Sequence, residues 1–268
     1  MIDPPTRLVL LGHPVAHSIS PRIQNAALRS AGIALTYETR DVPPESLDAV
    51  LAELAAEGAA GNATIPHKEA VAARCSRLTP LAERVGAVNT WWHEDGRLVG
   101  DNTDVGGVDA SARALLGDEL SSARVALVGA GGSAAAMLAA SERWGAARVS
   151  IYNRHMDRAE RLAARFSGVA EVARSLSDAL REATLVVNAT PIGMRDDGHP
   201  VPLGLIPPGA AVFDLVYRAS ETAWVTAARQ AGHRAADGMG MLVEQGALAF
   251  TRWFGREPDR AAMWRAMA

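Results

Sequence analysis

The chain has 268 residues, 49% of them hydrophobic and 21% charged, enough to bury a sizeable core and to form two domains. A net charge of −3 gives no attraction to nucleic acid or to an anionic membrane, and neither is expected as a partner. One cysteine, Cys75, leaves no internal disulfide and no cysteine metal cage, which fits a reducing, cytoplasmic setting.

The start, Met1-Ile2-Asp3-Pro4-Pro5-Thr6, has an acid and prolines where a signal peptide has a basic and then an apolar segment, so no export is expected. The longest uncharged stretch, residues 125–141, is too short to span a bilayer. Arg7–Gly12 reads as an apolar strand, Pro21–Ala31 as a helix with Ser20 at its N-cap, and Thr36–Val42 as a strand. An amphipathic helix over Pro44–Ala56 precedes a strand Gly61–Ile65 and a helix Lys68–Cys75. Ala87–His93 and Arg97–Gly100 read as a hairpin turning at Glu94-Asp95-Gly96. A helix over Val108–Leu116 then crosses to a second α/β unit.

That unit opens on the apolar run Arg124–Val128, followed by Gly129-Ala130-Gly131-Gly132-Ser133-Ala134 and an alanine-rich helix over Ala135–Trp144. Gly129 permits the tight turn, Gly131 lets the backbone approach a pyrophosphate, Ala134 still allows close helix packing, and the first helical amides face phosphate. By itself the pattern fits a packing turn equally well. The next strand, Arg148–Tyr152, ends at Asn153-Arg154, where an NAD-binding chain places an acid for the ribose 2′-hydroxyl. Here the position is basic, and Arg158 follows one turn into a helix over 157–166. Two guanidiniums there can embrace a 2′-phosphate and favour NADP; alternatively both are solvated and pair with Asp157 or Glu160. Strands 184–188 and 211–215 continue the unit. A helix from near Gly238 through Phe250, and another within 256–268, return to the first domain. The expected organisation is α/β, with a substrate domain 1–106, a dinucleotide-binding domain 107–236 and C-terminal helices 237–268 packing back on the first domain.

Outside the glycine turn, polar residues cluster in short segments. Ser18 and Ser20 stand two apart before a helix start, where hydroxyls and helix dipole together can take a carboxylate; local turn formation and capping are the plainer roles. Lys68 begins a helix and Asp104 closes the first domain. A lysine and an aspartate brought together can share a proton transfer, the carboxylate orienting the ammonium, although each can also be an ordinary surface charge. The seven histidines show no spacing suited to a metal site, and none is expected.

These segments occur in one order: HisSerIleSerPro at 17–21, AsnAlaThrIleProHisLys at 62–68, GlyAlaValAsnThr at 86–90, GlyAspAsnThrAsp at 100–104, GlyAlaGlyGly at 129–132, AsnArg at 153–154, AsnAlaThrProIleGlyMet at 188–194 and GlyMetLeuValGluGln at 240–245. In this set the chain resembles the shikimate dehydrogenase family over nearly its whole length. The resemblance implies a central Rossmann domain and NADPH-dependent reduction of 3-dehydroshikimate to shikimate, on the route to chorismate and the aromatic amino acids. It implies Lys68 and Asp104 as the catalytic pair, Ser18 and Ser20 at the substrate carboxylate, and Thr64, Asn89, Tyr217 and Gln245 as further substrate contacts. For the cofactor it implies Gly129, Ala130, Gly131, Gly132, Ser133, Ala134, Asn153, Arg154, Arg158, Thr190 and Gly238. Ala63 replaces a more usual valine, His155 a threonine and Ala219 a proline. A quinate or shikimate dehydrogenase preferring NAD, and a catalytically silent metabolite-binding homologue, are the alternatives; retention of both Lys68 and Asp104 argues against the second. A monomer or homodimer is expected.

Overall fold

Apolar side chains on both faces make Leu8–Gly12 (β1) an interior strand, each residue buried, in the computed structural model, which describes residues 4–145 and 148–267. Helix α1 (Ser20–Ser30) leads to β2 (Tyr37–Asp41), and α2 (Leu47–Ala56) to β3 (Ala60–Ala63). Both strands pair in parallel with β1. Then come α3 (Lys68–Ala72), β4 (Arg77–Leu78), α4 (Pro80–Val85) and the hairpin of β5 (Thr90–Glu94) and β6 (Arg97–Asp101). Because β5 runs antiparallel to β3, the sheet is mixed, with order β2-β1-β3-β5-β6-β4. Glu94 stays in the ladder opposite Arg97, so the turn is Asp95-Gly96 alone, both at positive φ (49° and 70°) as a two-residue hairpin turn demands.

Helix α5 (Asp104–Leu116) carries the chain out of this unit. The second unit, Val108–Leu242, contains β7 (Arg124–Val128), α6 (Gly132–Trp144), β8 (Arg148–Tyr152), α7 (Met156–Arg165), β9 (Ala170–Val172), α8 (Leu176–Leu180), β10 (Leu185–Asn188), β11 (Ala211–Asp214), α9 (Ala223–Gln230) and β12 (Ala235–Ala236). All its strands are parallel, in the order β12-β11-β10-β7-β8-β9. Strand order reverses between β7 and β10, and ligands of open α/β sheets bind beyond the strand ends at such a switch point. Helices α10 (Met239–Phe254) and α11 (Arg260–Arg265) follow, and from Val243 onward the chain belongs to the first unit again. There Gln24 Nε2 donates to Gly246 O at 2.9 Å, Ser30 Oγ to Asp259 Oδ2 at 3.1 Å, and Arg252 Nε to the buried Asp101 at 2.6 Å.

Each unit has its own core: Leu11, Leu47, Leu54, Val71 and Trp91 in the first, and Leu180, Val186, Val212, Trp224 and Val225 in the second. The crossover helix begins at Asp104, four positions before the expected Val108. Gly106 and Gly107 hide it in the sequence because glycine is a poor helix former, yet at Gly106 a Cβ would stand 2.3 Å from Leu248 Cδ1. Strand β3 ends at Ala63 rather than Ile65, since the chain turns at Thr64, whose carbonyl accepts the His67 amide at 2.7 Å. Helix α3 stops at Ala72 rather than Cys75, and α6 starts at Gly132 rather than Ala135. Among the described residues no helix is long and apolar enough to cross a membrane.

Cys75 packs behind β6, where a Cβ on Gly100 would stand 2.8 Å from its sulfur. Burial pushes the thiol up to about 12. At mildly alkaline pH an aromatic disulfide reagent should therefore react much more slowly with native protein, whose half-buried thiol stays protonated, than with protein in denaturant. Rapid stoichiometric reaction of the folded protein would contradict this.

Candidate active site

Lys68 and Asp104, 36 residues apart, meet because each opens a helix at the end of a strand segment of the first unit's sheet. Lys68 is the first residue of α3. It is held there by His67, whose buried ring donates from Nε2 to Val42 O at 2.7 Å, and by the Val88 amide, which donates to the Lys68 carbonyl at 2.9 Å. Asp104 is the first residue of α5, an end where the helix dipole favours a carboxylate. Lys68 Nζ donates to Asp104 Oδ2 at 2.5 Å, with side chains 17% and 6% exposed. Among the described residues the ammonium has no second partner.

Asn89 completes the group. Its Nδ2 donates to Asp104 Oδ1 at 2.8 Å, Thr103 Oγ1 at 3.0 Å and Gln245 Oε1 at 3.2 Å, while its Oδ1 accepts the Thr103 amide at 2.7 Å. Both oxygens of Asp104 thus have donors. The structure brings Lys68, Asp104, Asn89 and Gln245 into one hydrogen-bonded cluster.

Ser18 and Ser20 lie in the same unit. The expected N-cap role of Ser20 is not what the structure contains: Ile19 occupies the cap without a side-chain bond, and Ser20 is the first helical residue. Its amide donates to Ser18 Oγ at 3.3 Å, a local turn bond from the residue before the cap. Among the described residues neither hydroxyl proton has an acceptor, and the first turn of α1 has no acid. Two free hydroxyl donors at the start of an eleven-residue helix suit an anion. Thr64 is half-buried against β1, where a Cβ on Gly12 would stand 2.6 Å from its methyl group.

The cofactor candidates all belong to the second unit. Gly129 has φ of +118°, and a Cβ there would stand 2.7 Å from Ala189 O, so both conformation and packing call for glycine. Gly131 is the N-cap of α6 with no side-chain cap, and a Cβ on it would meet nothing within 4 Å. Open space beside the uncapped amides of Gly132, Ser133 and Ala134 fits a dinucleotide's phosphates. At the end of β8, Asn153 Nδ2 turns back to His155 O at 2.8 Å. Arg154 and Arg158 are exposed and, among the described residues, in no ion pair, while Asp157 pairs with Arg161 at 2.8 Å, not with Arg158. The Arg161 guanidinium also holds the Asp157 carboxyl below the usual carboxylate range. Thr190 donates its hydroxyl proton to Asn188 Oδ1 at 2.7 Å, Gly238 donates its amide to Val216 O at 2.9 Å, and Tyr217 is half-buried. No group of three or more histidine, cysteine, aspartate or glutamate side chains suited to a metal occurs among the described residues.

The family model for the shikimate dehydrogenase substrate binding domain matches residues 10–91, that for shikimate / quinate 5-dehydrogenase residues 110–192, and that for the shikimate 5′-dehydrogenase C-terminal domain residues 238–268. The chain belongs to the shikimate dehydrogenase family. It is 45% identical to the NADP(+) shikimate dehydrogenase of Symbiobacterium thermophilum, over 93% of this chain and 89% of that one. Shikimate 5-dehydrogenase from Thermus thermophilus, solved in complex with NADP(H) and shikimate, is 38% identical and aligns with a TM-score of 0.88, covering 97% of this chain and 98% of the other. Quinate dehydrogenase from Corynebacterium glutamicum, solved with NAD, is 29% identical with a TM-score of 0.88, covering 98% and 99%.

Within this shikimate dehydrogenase fold, the residues that hold Asn89 were not singled out from the sequence. Tyr37 OH donates to Asn62 Oδ1 at 2.7 Å, Asn62 Nδ2 donates to Asn89 O at 2.9 Å and Thr90 Oγ1 at 3.0 Å, and the Thr90 and Thr103 hydroxyls meet at 2.9 Å. Asn62, Thr90 and Thr103 lie inside the shared motifs, which was the available signal. Tyr37 had none.

Proposed function

We propose that this chain catalyses the reversible NADPH-dependent reduction of 3-dehydroshikimate to shikimate. The observation that carries the reading is the Lys68–Asp104 pair, part-buried, oriented by Asn89 and with ammonium protons to spare, in the unit matched by the substrate binding domain. The glycine turn and the Arg154 and Arg158 guanidiniums would hold NADPH, which would supply the hydride that the carbonyl carbon takes up. Lys68 donates a proton to the carbonyl oxygen, Asp104 keeps the ammonium in place, and the neutral amine regains its proton from water. Ser18 and Ser20 hold the substrate carboxylate, while Thr64, Asn89, Tyr217 and Gln245 take ring hydroxyls. The working form is a cytoplasmic monomer or homodimer.

A matrix of 3-dehydroshikimate or 3-dehydroquinate against NADPH or NADH, followed by loss of reduced-cofactor absorbance, tests this. Turnover is expected to be fastest with 3-dehydroshikimate and NADPH. Shikimate binding without turnover on either cofactor would instead make the chain a metabolite-binding protein, and preference for NADH and quinate would move it to the other branch of the family.

The carboxylate assignment makes a separate prediction. Replacing Ser18 and Ser20 together with alanine should raise KM for the acid and leave that for NADPH nearly unchanged, each lost charge-assisted bond being worth about 1.5–3 kcal/mol. Equal weakening of both ligands would point to a folding defect. Since Ser18 Oγ accepts the first helical amide of α1, its single variant needs a melting curve, as a lost hydrogen bond can cost about 1 kcal/mol.

A further inference from the structure

Two polar side chains end neighbouring strands of the second unit's sheet, Asn188 on β10 and Asp214 on β11, in parallel register and with no exposed surface. That register puts both on one face of the sheet, and Asn188 Nδ2 donates to Asp214 Oδ1 at 2.8 Å. A carboxylate buried among apolar strands persists only when its lone pairs are filled. The Val216 amide donates to the same oxygen at 3.0 Å, and Thr222 Oγ1 donates to Oδ2 at 2.9 Å. Burial pushes the Asp214 carboxyl above the ordinary range, and these donors pull it back.

Two of the three donors, Asn188 and Val216, bond directly to residues of the candidate cofactor site. Asn188 passes its second amide proton to Ile192 O at 3.2 Å and accepts the Thr190 amide at 2.9 Å and hydroxyl at 2.7 Å, so it clamps the loop after β10. Thr190 in turn packs on the glycine turn: its methyl carbon would lie 3.2 Å from a Cβ on Gly129. Val216 precedes Tyr217, and its carbonyl takes the Gly238 amide at 2.9 Å. Gly238 sits so close on this segment that a Cβ would stand 2.4 Å from Leu215 O. Thr222 caps α9, its hydroxyl oxygen accepting the Val225 amide at 3.4 Å.

We propose that Asp214 is a positioning residue for NADPH, a buried anion that locks Thr190, the segment leading to Tyr217, and Gly238 in register with the glycine turn while itself touching no ligand. The proposal rests on the reading of this unit as the NADPH-binding one. It separates Asp214 from the catalytic pair, since every bond described lies within the second unit.

The test compares wild-type enzyme with Asp214→Ala, Asp214→Asn and Asn188→Ala. NADPH affinity is read from the fluorescence of the bound cofactor, shikimate affinity from calorimetry without cofactor, and backbone order from amide hydrogen exchange at Thr190 and Val216. Asp214→Ala removes three hydrogen bonds to a charge and is expected to weaken NADPH by about tenfold or more, with faster exchange at both amides and a much smaller loss of shikimate affinity, felt only through Tyr217. Asp214→Asn keeps acceptors for Asn188 and Val216 and should recover most of the affinity. Should Asp214→Ala fail to fold, Asn188→Ala carries the test, because it severs Thr190 while Asp214 retains Val216 and Thr222. Variants that bind NADPH within about twofold of wild type, or that lose shikimate in equal measure, overturn the proposal. A wild-type enzyme that binds neither NADPH nor NADH overturns the underlying reading as well, which distinguishes the two failures.

Discussion

Replacing Lys68 with methionine should lower kcat by about a hundredfold to ten-thousandfold, the usual value of general acid–base help, while the protein folds and still binds shikimate. Methionine keeps the length of the side chain and deletes only the proton donor. Asp104 loses its donor at Oδ2 but keeps Asn89 Nδ2 at Oδ1, 2.8 Å away, so a lowered melting temperature is expected with the fold retained. Asp104→Asn should also be slow, since the ammonium loses the carboxylate that orients it at 2.5 Å. If the two side chains act as one unit, the double variant should be far less impaired than the product of the single effects. Steady-state rates for the four proteins, with calorimetric shikimate binding and melting curves as controls, decide the matter. Near wild-type turnover in Lys68→Met would remove Lys68 from the chemistry, and multiplicative effects would separate it from Asp104.

Arg154→Ala is expected to weaken NADPH by roughly 1.5–3 kcal/mol, about tenfold to a hundredfold, and NADH far less, because only NADPH loses a charged partner. Arg154 and Arg158 are exposed and in no ion pair among the described residues, so a dianionic 2′-phosphate would not have to displace a carboxylate from either. Asp157, the residue through which a ribose diol could be held instead, is occupied by Arg161 at 2.8 Å. As the site is open to solvent, the NADPH preference should shrink with rising ionic strength. Fluorescence titrations of both cofactors against wild-type and variant enzyme measure this. Equal use of NADH by the wild type, or equal loss of both cofactors in Arg154→Ala, would dismiss the phosphate clamp and make Asp157→Ala the next variant.

What could be read from the sequence alone were the features whose causes are local. Apolar runs such as Leu8–Gly12 and Arg124–Val128 declare buried parallel strands by composition, and the run from Gly129 to Ala134 declares a strand-turn-helix because positive φ and close backbone approach restrict the residue type at each position. The two α/β units and the candidate residues Lys68, Asp104, Asn89 and Gln245 were visible for the same reason, as short motifs in a fixed order. Strands β4, β9 and β12 were not, since two or three residues carry no periodicity and are strands only by pairing with a neighbour. Nor was the early start of α5, where Gly106, which opposes a helix in isolation, leaves room for Leu248. The hydrogen bonds that orient the site depend wholly on tertiary structure. Asn89 is aimed by Thr103 and Gln245, and Gln245 is 156 residues away from it; Asp214 meets Asn188 only because β10 and β11 pair in register. A polar residue's chemistry is written in its side chain, but its partner is chosen by burial, which strips away water and leaves whichever donor the fold has brought within reach.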